Sequence, residues 1–159
     1  MTGLRAVFSP LKAFIWQVIR RWVRQRFPTV EGISTAYLAN WLAQGTARPA
    51  LIDARRPAEY AVSHLPYAVL ANSVEAVEAA GILKNRPIVV YCSVGYRSAR
   101  LGEKLRVSGY RVTNLEGSLF QWANEGRPLQ SASGPTRQVH PYSRLWSLLL
   151  DPTAVDLVM

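Results

Sequence analysis

Short apolar runs alternate with helical patterns through the middle of this 159-residue chain. The apolar runs cover residues 49–53, 67–70, 89–92 and 110–115, and the helical patterns cover residues 35–43, 74–83, 97–108 and 118–125. Strands that alternate with helices of about ten residues indicate a parallel sheet with helices on both faces. Ligands of such sheets bind beyond the carboxyl ends of the strands. The sequence therefore predicts one α/β domain of ordinary size, with its site at that edge of the sheet.

The only cysteine of the chain, Cys92, stands where a predicted strand leads into a helix. The short loop between them contains Gly95 and ends at Arg97. The backbone N–H groups and the dipole of a helix N-terminus favour an anion, and the thiolate is the nucleophilic form of cysteine. Two other interpretations are a cysteine that packs as a small hydrophobe and a loop that binds phosphate or sulfate without covalent chemistry. Gly95, Arg97 and Ser98 together favour a reactive sulfur, because a cysteine that only packs in the core has no need of a positively charged loop that binds anions.

Charged residues follow the predicted strand that ends at Asp53. This strand end is expected to face the same crevice as Cys92, and the Asp53 carboxylate can accept N–H bonds from a neighbouring loop. Arg55 and Glu59 are expected to pair across one helical turn and to support the site. The alternative is a solvated pair of little energetic value, which is the interpretation we give to Arg56.

Residues 29–130 resemble a single rhodanese (thiosulfate sulfurtransferase) domain. Each matching segment is weak alone, but their order and spacing together make a specific signal. The segments are residues 51–60, 63–66, 91–98, 109–110 and 114–117, followed by Trp122 and residues 126–128. The resemblance implies a three-layer α/β domain with a mostly parallel sheet of about five strands.

The resemblance also implies a chemistry for the loop cysteine. Cys92 would take a sulfane sulfur from a donor such as thiosulfate and hold it as a persulfide. The persulfide would then pass its sulfur to an acceptor such as a thiol, cyanide or a protein nucleophile, in a double displacement. Arg97 would bind the anionic donor, and loop N–H groups would form a cradle for the charged sulfur. The cradle residues are Ser93, Val94, Gly95, Tyr96 and Ser98.

The length of the loop separates two branches of this fold. Cys92 to Arg97 spans six residues, which is the loop size of family members that handle sulfur. The related dual-specificity phosphatases and arsenate reductases have one more residue, because a tetrahedral oxyanion needs a wider ring. Six residues favour sulfur transfer over oxyanion chemistry. An alternative from another class is a non-catalytic docking module, against which the retained cysteine, glycine and arginine argue.

Some positions depart from the pattern of the family. Glycine is usual where Ser63 and Tyr67 stand, and a second glycine is usual where Ser118 follows Gly117. These differences concern turns and leave the cysteine chemistry untouched. His64 is interpreted as structural.

The number of cysteines limits which cofactors and reaction steps are possible. One cysteine cannot form an internal disulfide or a metal cluster, so neither a metal nor another cofactor is expected. A persulfide on Cys92 would have to leave to an external acceptor. A reduced compartment follows, and the prediction is cytoplasmic, with a peripheral membrane position as an option.

The flanks of the domain differ in character. Residues 1–28 are predicted to form a basic amphipathic helix, because six of the nine net positive charges fall there and apolar residues recur at spacings of three and four. Residues 4–26 could lie on an anionic membrane surface, pack on the domain and the C-terminal stretch, or dock a partner protein. No transmembrane span, cleaved signal peptide or nucleic-acid motif is expected. Residues 131–159 are predicted to be a linker and a tail with a short apolar helix, without assigned chemistry.

Overall fold

A parallel five-stranded sheet lies at the centre of the protein, with the strand order β1-β5-β4-β2-β3. A computed structural model describes residues 9–45 and 47–159. The strands are β1 (Glu31–Ile33), β2 (Ala50–Asp53), β3 (Val69–Leu70), β4 (Ile88–Tyr91) and β5 (Val112–Leu115). The helices are α1 (Pro10–Arg26), α2 (Thr35–Ala43), α3 (Pro57–Val62), α4 (Val74–Ala79), α5 (Tyr96–Val107), α6 (Ser118–Asn124) and α7 (Arg144–Ser147).

Alternate side chains of the central strands enter two hydrophobic clusters on opposite faces of the sheet. Leu51 and Val89 join the larger cluster, which contains buried residues of α1, α2 and α6 and is called the main cluster below. Ile52 and Val90 join the other cluster, which is completed by residues of α4 and α5. This alternation is the period of two that a strand imposes on its side chains. The predicted α/β class, parallel sheet and three-layer arrangement are confirmed.

Short polar and glycine caps set the starts of the helices around the sheet. The hydroxyl of Ser34 accepts the Tyr37 N–H at the start of α2, and Ser73 does the same for Ala76 at the start of α4. Gly95 precedes α5 with a φ of 109°. The strand β1 and the short helix α3 were not among the alternating strands and helices predicted from the sequence. Segments of three and six residues are too short to show a periodic pattern.

The interpretation of residues 131–135 as a linker is wrong. The strands β6 (Leu129–Ser131) and β7 (Gly134–Thr136) pair antiparallel as a hairpin, so the Ser and Gly residues form its turn. The chain then continues through β8 (Gln138–Val139) and α7 and ends near β9 (Asp156–Leu157), which pairs with β8. Val139, Leu149 and Leu150 are buried in the main cluster, which anchors the tail to the domain.

The N-terminal helix packs on its own domain. Trp16, Ile19 and Val23 point into the main cluster, followed by Phe27 just after the helix. Polar contacts join the same surfaces: Lys12 Nζ donates to the Leu150 carbonyl, Arg20 donates to Gln121, and Arg24 forms an ion pair with Glu116. The domain therefore replaces the membrane surface as the partner of the buried face of residues 9–26.

The remainder of the predicted N-terminal helix, residues 1–8, lies outside the described residues. Within the described ranges, no helix is long and apolar enough to cross a membrane.

Candidate active site

Cys92 follows β4 directly and lies at the bottom of a cavity of about 150 Å³. The residue is buried, and two loop groups contact its sulfur. The Gly95 N–H donates to Cys92 Sγ at 3.2 Å, and Ser98 Oγ lies 3.4 Å from the same atom. The sulfur thus faces the Gly95 N–H on one side and the cavity on the other. The predicted position of Cys92 at a strand end, before a helix, is where the structure places it.

Gly95 gives the loop a backbone turn that other residues rarely adopt. Its φ of 109° lies in the region that L-residues avoid, and it directs the N–H toward the sulfur. The amide of Asn114, at the end of β5, bridges two parts of this loop: Nδ2 donates to the Gly95 carbonyl at 3.0 Å, and Oδ1 accepts from Ser98 Oγ at 2.7 Å. Asn114 was not predicted as a site residue, although residues 114–117 were part of the resemblance.

The first turn of α6 holds the main chain on both sides of the cysteine. Ser118 Oγ accepts the Cys92 N–H at 3.2 Å, and the Leu119 N–H donates to the Cys92 carbonyl at 3.0 Å. The Phe120 N–H donates to the Ser93 carbonyl at 3.1 Å. The first N–H groups of α6 have no partner inside the helix, so they donate to carbonyls of the cysteine loop. Ser118 stands where a glycine was expected and keeps a positive φ of 49°, while its hydroxyl fixes the cysteine backbone.

Arg97 forms an ion pair with Glu59 beside the loop. Its two terminal nitrogens donate to the two Glu59 carboxylate oxygens at 2.8 Å each, and Nη2 also donates to Ser93 Oγ at 2.9 Å. The guanidinium lines the cavity and is already held before any substrate binds. Burial alone would lower the pKa of Arg97, but hydrogen bonds with Glu59 and the nearby Cys92 sulfur raise it.

Glu59 is a buried acceptor for several donors. Burial alone would raise its pKa, but hydrogen bonds from Arg97 and from the Arg56 N–H lower it to about 2. The expected pair between Arg55 and Glu59 does not form, because the buried Arg55 side chain binds Asp53 instead. Arg56 is 59% exposed at its side chain, as its solvated interpretation expects, and its Nε lies 3.2 Å from Glu59 Oε2.

Asp53 and Arg55 form a separate buried pair under the site. Arg55 Nη2 donates to Asp53 Oδ2 at 2.7 Å and to the Ser63 carbonyl at 2.6 Å, and Asp53 also accepts the Arg55 N–H. Asp53 is the register partner of Tyr91, one residue before Cys92. This pair therefore fixes the neighbouring loop, while neither residue lines the cavity. His64 stacks on Tyr60 with ring centroids 3.8 Å apart, in agreement with a structural interpretation.

Four aromatic side chains line the cavity. Trp22 of α1 and Tyr96 of the loop stack with centroids 4.6 Å apart, and Tyr142 and Trp146 belong to the same lining. Tyr96 was predicted as a cradle residue, whereas Tyr142 and Trp146 were not predicted, because no chemistry was assigned to the tail. Their only sequence signal is their aromatic character, which cannot be told from core packing.

The structure brings most of the predicted site residues to one place. Those that line the cavity are Cys92, Ser93, Val94, Tyr96 and Arg97. Gly95 and Ser98 contact the sulfur, and Glu59 acts through Arg97. Among the residues the structure describes, no group of His, Cys, Asp and Glu side chains gathers as metal ligands would. The arrangement can present a nucleophilic sulfur to a small ligand and hold negative charge next to loop donors.

Comparison with known proteins agrees with this geometry. Residues 34–125 match the family model described as a rhodanese-like domain. A protein named sulfurtransferase from Allochromatium vinosum is 37% identical over 86 residues, which are 53% of this chain and 80% of that protein. A probable adenylyltransferase/sulfurtransferase MoeZ from Mycobacterium tuberculosis is 32% identical over 102 residues, which are 60% of this chain but 25% of that protein.

Solved structures share the fold. The crystal structure of a rhodanese-like domain protein from Staphylococcus aureus aligns with a TM-score of 0.56 and 28% identity. The alignment covers 64% of this chain and 98% of that one. Helix α1 and the segment after α6 extend beyond the residues matched by the family model.

Proposed function

The chain belongs to the rhodanese-like domain family, and from this premise we propose that it is a sulfurtransferase that carries sulfane sulfur on Cys92. The observation that carries this proposal is the contact of the Cys92 sulfur with the Gly95 N–H at the bottom of a six-residue loop. A thiolate in this position can attack a sulfur atom that enters the cavity. The loop donor and the start of α5 favour the negative charge before and after the transfer.

The first half of the reaction loads the cysteine. The Cys92 thiolate attacks the outer sulfur of thiosulfate, the bond between the two thiosulfate sulfurs breaks, and its electron pair leaves with sulfite. The new bond joins Cys92 Sγ to the transferred sulfur, so the product is a persulfide anion. This nucleophilic step divides one difficult transfer into two easier ones.

The second half discharges the persulfide. A nucleophile such as cyanide or a thiolate attacks the outer sulfur, and the electron pair of the broken S–S bond returns to Cys92. Because the chain has one cysteine, the acceptor has to come from outside the chain. Thiosulfate as donor, and a thiol, cyanide or protein nucleophile as acceptor, form the proposed substrate set.

The positioning residues support the same chemistry. Arg97 is fixed by Glu59 and Ser93, so its charge stays at the cavity wall without reorganisation. Ser118 and the start of α6 hold the cysteine backbone, which keeps the sulfur aimed at the cavity. Fixed donors of this kind stabilise developing charge better than mobile ones.

Intact mass spectrometry after incubation with thiosulfate tests the proposal. We expect the protein to gain the mass of one sulfur atom, to lose it with cyanide, and to release thiocyanate. The Cys92→Ser variant is the control, and it should gain nothing. A folded wild-type protein that gains no sulfur from thiosulfate, at any pH between 6 and 9, would contradict thiosulfate as the donor.

A further inference from the structure

The walls of the Cys92 cavity come partly from outside the segment that matches the family. Residues 34–125 supply the loop, whereas Trp22 comes from α1 and Tyr142 and Trp146 come from the C-terminal segment. These three side chains line the same cavity as the sulfur. A substrate in this cavity therefore meets aromatic surfaces that the loop itself does not provide.

Trp22 and the loop residue Tyr96 form a fixed aromatic wall. Their rings are stacked with an interplanar angle of 18°, and Phe27 meets Tyr96 edge-on with centroids 5.1 Å apart. Stacked and edge-to-face pairs of this kind are attractive beyond the area they bury. Phe27 is buried in the main cluster, so the wall is anchored in the core. Trp22 nevertheless stays about half exposed.

Tyr142 is held over the charged side of the cavity in a strained backbone conformation. Its φ is 65°, which is unusual for a bulky residue, and its N–H donates to His140 Nδ1. The guanidinium carbons of Arg97 and Arg56 lie 4.7 Å and 4.9 Å from the centre of its ring. The residue is 41% exposed, so core packing does not explain the strain. Strained residues of this kind cluster at functional sites.

Trp146 completes the apolar lining. It packs against the main cluster from α7, and its neighbour Leu145 points to solvent with 72% exposure. A cavity of about 150 Å³ with apolar walls is large enough for a benzene ring. The faces of aromatic rings give no hydrogen bonds to replace the water around a compact dianion, whereas they gain contact with an apolar group.

We propose that Trp22, Tyr142 and Trp146 are specificity-determining residues that favour sulfur donors with an aromatic group over compact donors. The proposal rests on the proposed function, because it concerns the donor of the same persulfide. The donor class is the thiosulfonate, in which an organic group replaces one sulfonate oxygen of thiosulfate. The organic group would lie between the aromatic walls while the outer sulfur faces Cys92.

The chemistry balances without another reactant. The Cys92 thiolate attacks the outer sulfur of the thiosulfonate, and the bond from that sulfur to the sulfonyl sulfur breaks. Its electron pair leaves with the sulfinate, and the enzyme keeps a persulfide anion. The total charge is minus two before and after the step, and the organic group takes no part in the bond changes.

Competition between benzenethiosulfonate and methanethiosulfonate tests the proposal on the whole chain. Both donors are monoanions with the same reacting atoms, so they differ in the group that the cavity would bind. The two sulfinates released from an equimolar mixture, with cyanide as acceptor, give the preference directly. The same mixture with cyanide alone corrects for the intrinsic reactivity of the donors. We expect a corrected preference of about 10- to 50-fold for the benzene donor, as the extra buried apolar area implies.

The variants Trp146→Ala and Trp22→Ala should each lower that preference about fivefold or more, and Trp146→Phe should lower it less. Leu145→Ala is the control, because Leu145 lies on the same helix and points to solvent. Both donors meet the same protein sample, so a partly unfolded variant does not alter the ratio.

The outcomes separate this proposal from the proposed function. A corrected preference near one in the wild type, with both donors loading sulfur, would overturn the aromatic selection and leave the sulfurtransferase intact. An equal loss of preference in Leu145→Ala would overturn it as well. Failure of thiosulfate and of both thiosulfonates to load Cys92 would overturn the proposed function itself.

Discussion

Glu59 carries its negative charge inside the domain and links three donors of the site. The carboxylate is fully buried, and it binds both Arg97 nitrogens and the Arg56 backbone. A buried ion pair of this kind is costly to break, because removing one partner leaves the other charge uncompensated. The residue thus holds α3 and the cysteine loop in one arrangement, so its ionisation controls the geometry around Cys92.

The Glu59→Gln variant should reveal this contribution through the pH dependence of stability. The folded pKa of Glu59, about 2, is below the unfolded value of 4.5, so its stabilisation is fully present above about pH 5 and is lost as the pH falls toward 2. We expect the stability difference between wild type and variant to shrink by about 2 kcal/mol between pH 6 and pH 3, on the way to a total of about 3 kcal/mol at lower pH. Urea unfolding at pH 6, 4 and 3 measures it. A difference that stays constant with pH would contradict the assignment.

Ser118 combines a strained backbone with a hydrogen bond to the cysteine. Ser118→Ala keeps the positive φ but removes the acceptor of the Cys92 N–H, so we expect a loss of about 1–3 kcal/mol. Ser118→Gly relieves the strain while losing the same bond, so its stability should lie closer to wild type. Both variants should load sulfur more slowly than wild type, because the cysteine backbone is less fixed. Single-turnover loading by thiosulfate, beside urea unfolding, checks this; a wild-type loading rate in both would disprove the positioning role.

At the scale of elements, the features that could be predicted from the sequence were those with a periodic pattern or an ordered set of motifs. The alternation of runs and helices indicated the parallel sheet, and the segment from Cys92 to Ser98 indicated the loop between β4 and α5. Short elements such as β1 and the β6–β7 hairpin were missed, because three residues give no periodic signal and a Ser–Gly turn resembles a linker.

The directions in which side chains point could not be predicted from the sequence. Arg55 and Arg56 are neighbours with the same chemistry, yet Arg55 is fully buried against Asp53, whereas Arg56 is mostly exposed and reaches Glu59 from the surface. Their spacing to Glu59 allows either pairing. Likewise, Trp22, Tyr142 and Trp146 converge on the cavity from residues far apart in the chain, and only the tertiary fold brings them together.

The helix α1 should contribute to stability through one face. Trp16 is 2% exposed in the main cluster, whereas Phe14 on the same helix is 62% exposed. We expect Trp16→Ala to destabilise the protein by about 3–5 kcal/mol and Phe14→Ala to change stability by less than about 0.5 kcal/mol. Thermal or urea unfolding of the two variants measures the difference. Equal and small effects would show that α1 does not pack on the domain.

At the scale of the whole molecule, the charge distribution suits anionic donors. The formal net charge is +9. Next to the cysteine loop, a groove is lined by Arg56, Arg97, Arg100 and Lys104. Glu59 neutralises Arg97, but Arg100 and Lys104 are exposed and add positive potential at the carboxyl edge of the sheet. A field of this sign raises the local concentration of an anion and is weakened by salt.

The salt dependence of sulfur loading should therefore follow the charge of the donor. Between ionic strengths of about 10 mM and 200 mM, the screening length falls from about 30 Å to below 10 Å. We expect kcat/KM for thiosulfate, a dianion, to fall about five- to tenfold over this range, and that for methanethiosulfonate, a monoanion, to fall about two- to threefold. Stopped-flow or steady-state assays with cyanide at fixed pH measure both slopes.

A pair of charge reversals separates the local field from the net charge. Arg100→Glu and Arg48→Glu each lower the formal net charge by two, from +9 to +7. Arg100 lines the groove beside the cysteine loop, whereas Arg48 precedes β2 at the opposite edge of the sheet. We expect the Arg100 variant to flatten the salt slope for thiosulfate and to lower its kcat/KM at low salt several-fold, with a smaller effect for the Arg48 variant. Equal effects of the two reversals would mean that donors respond to the overall charge, and that the groove beside Cys92 does not steer them.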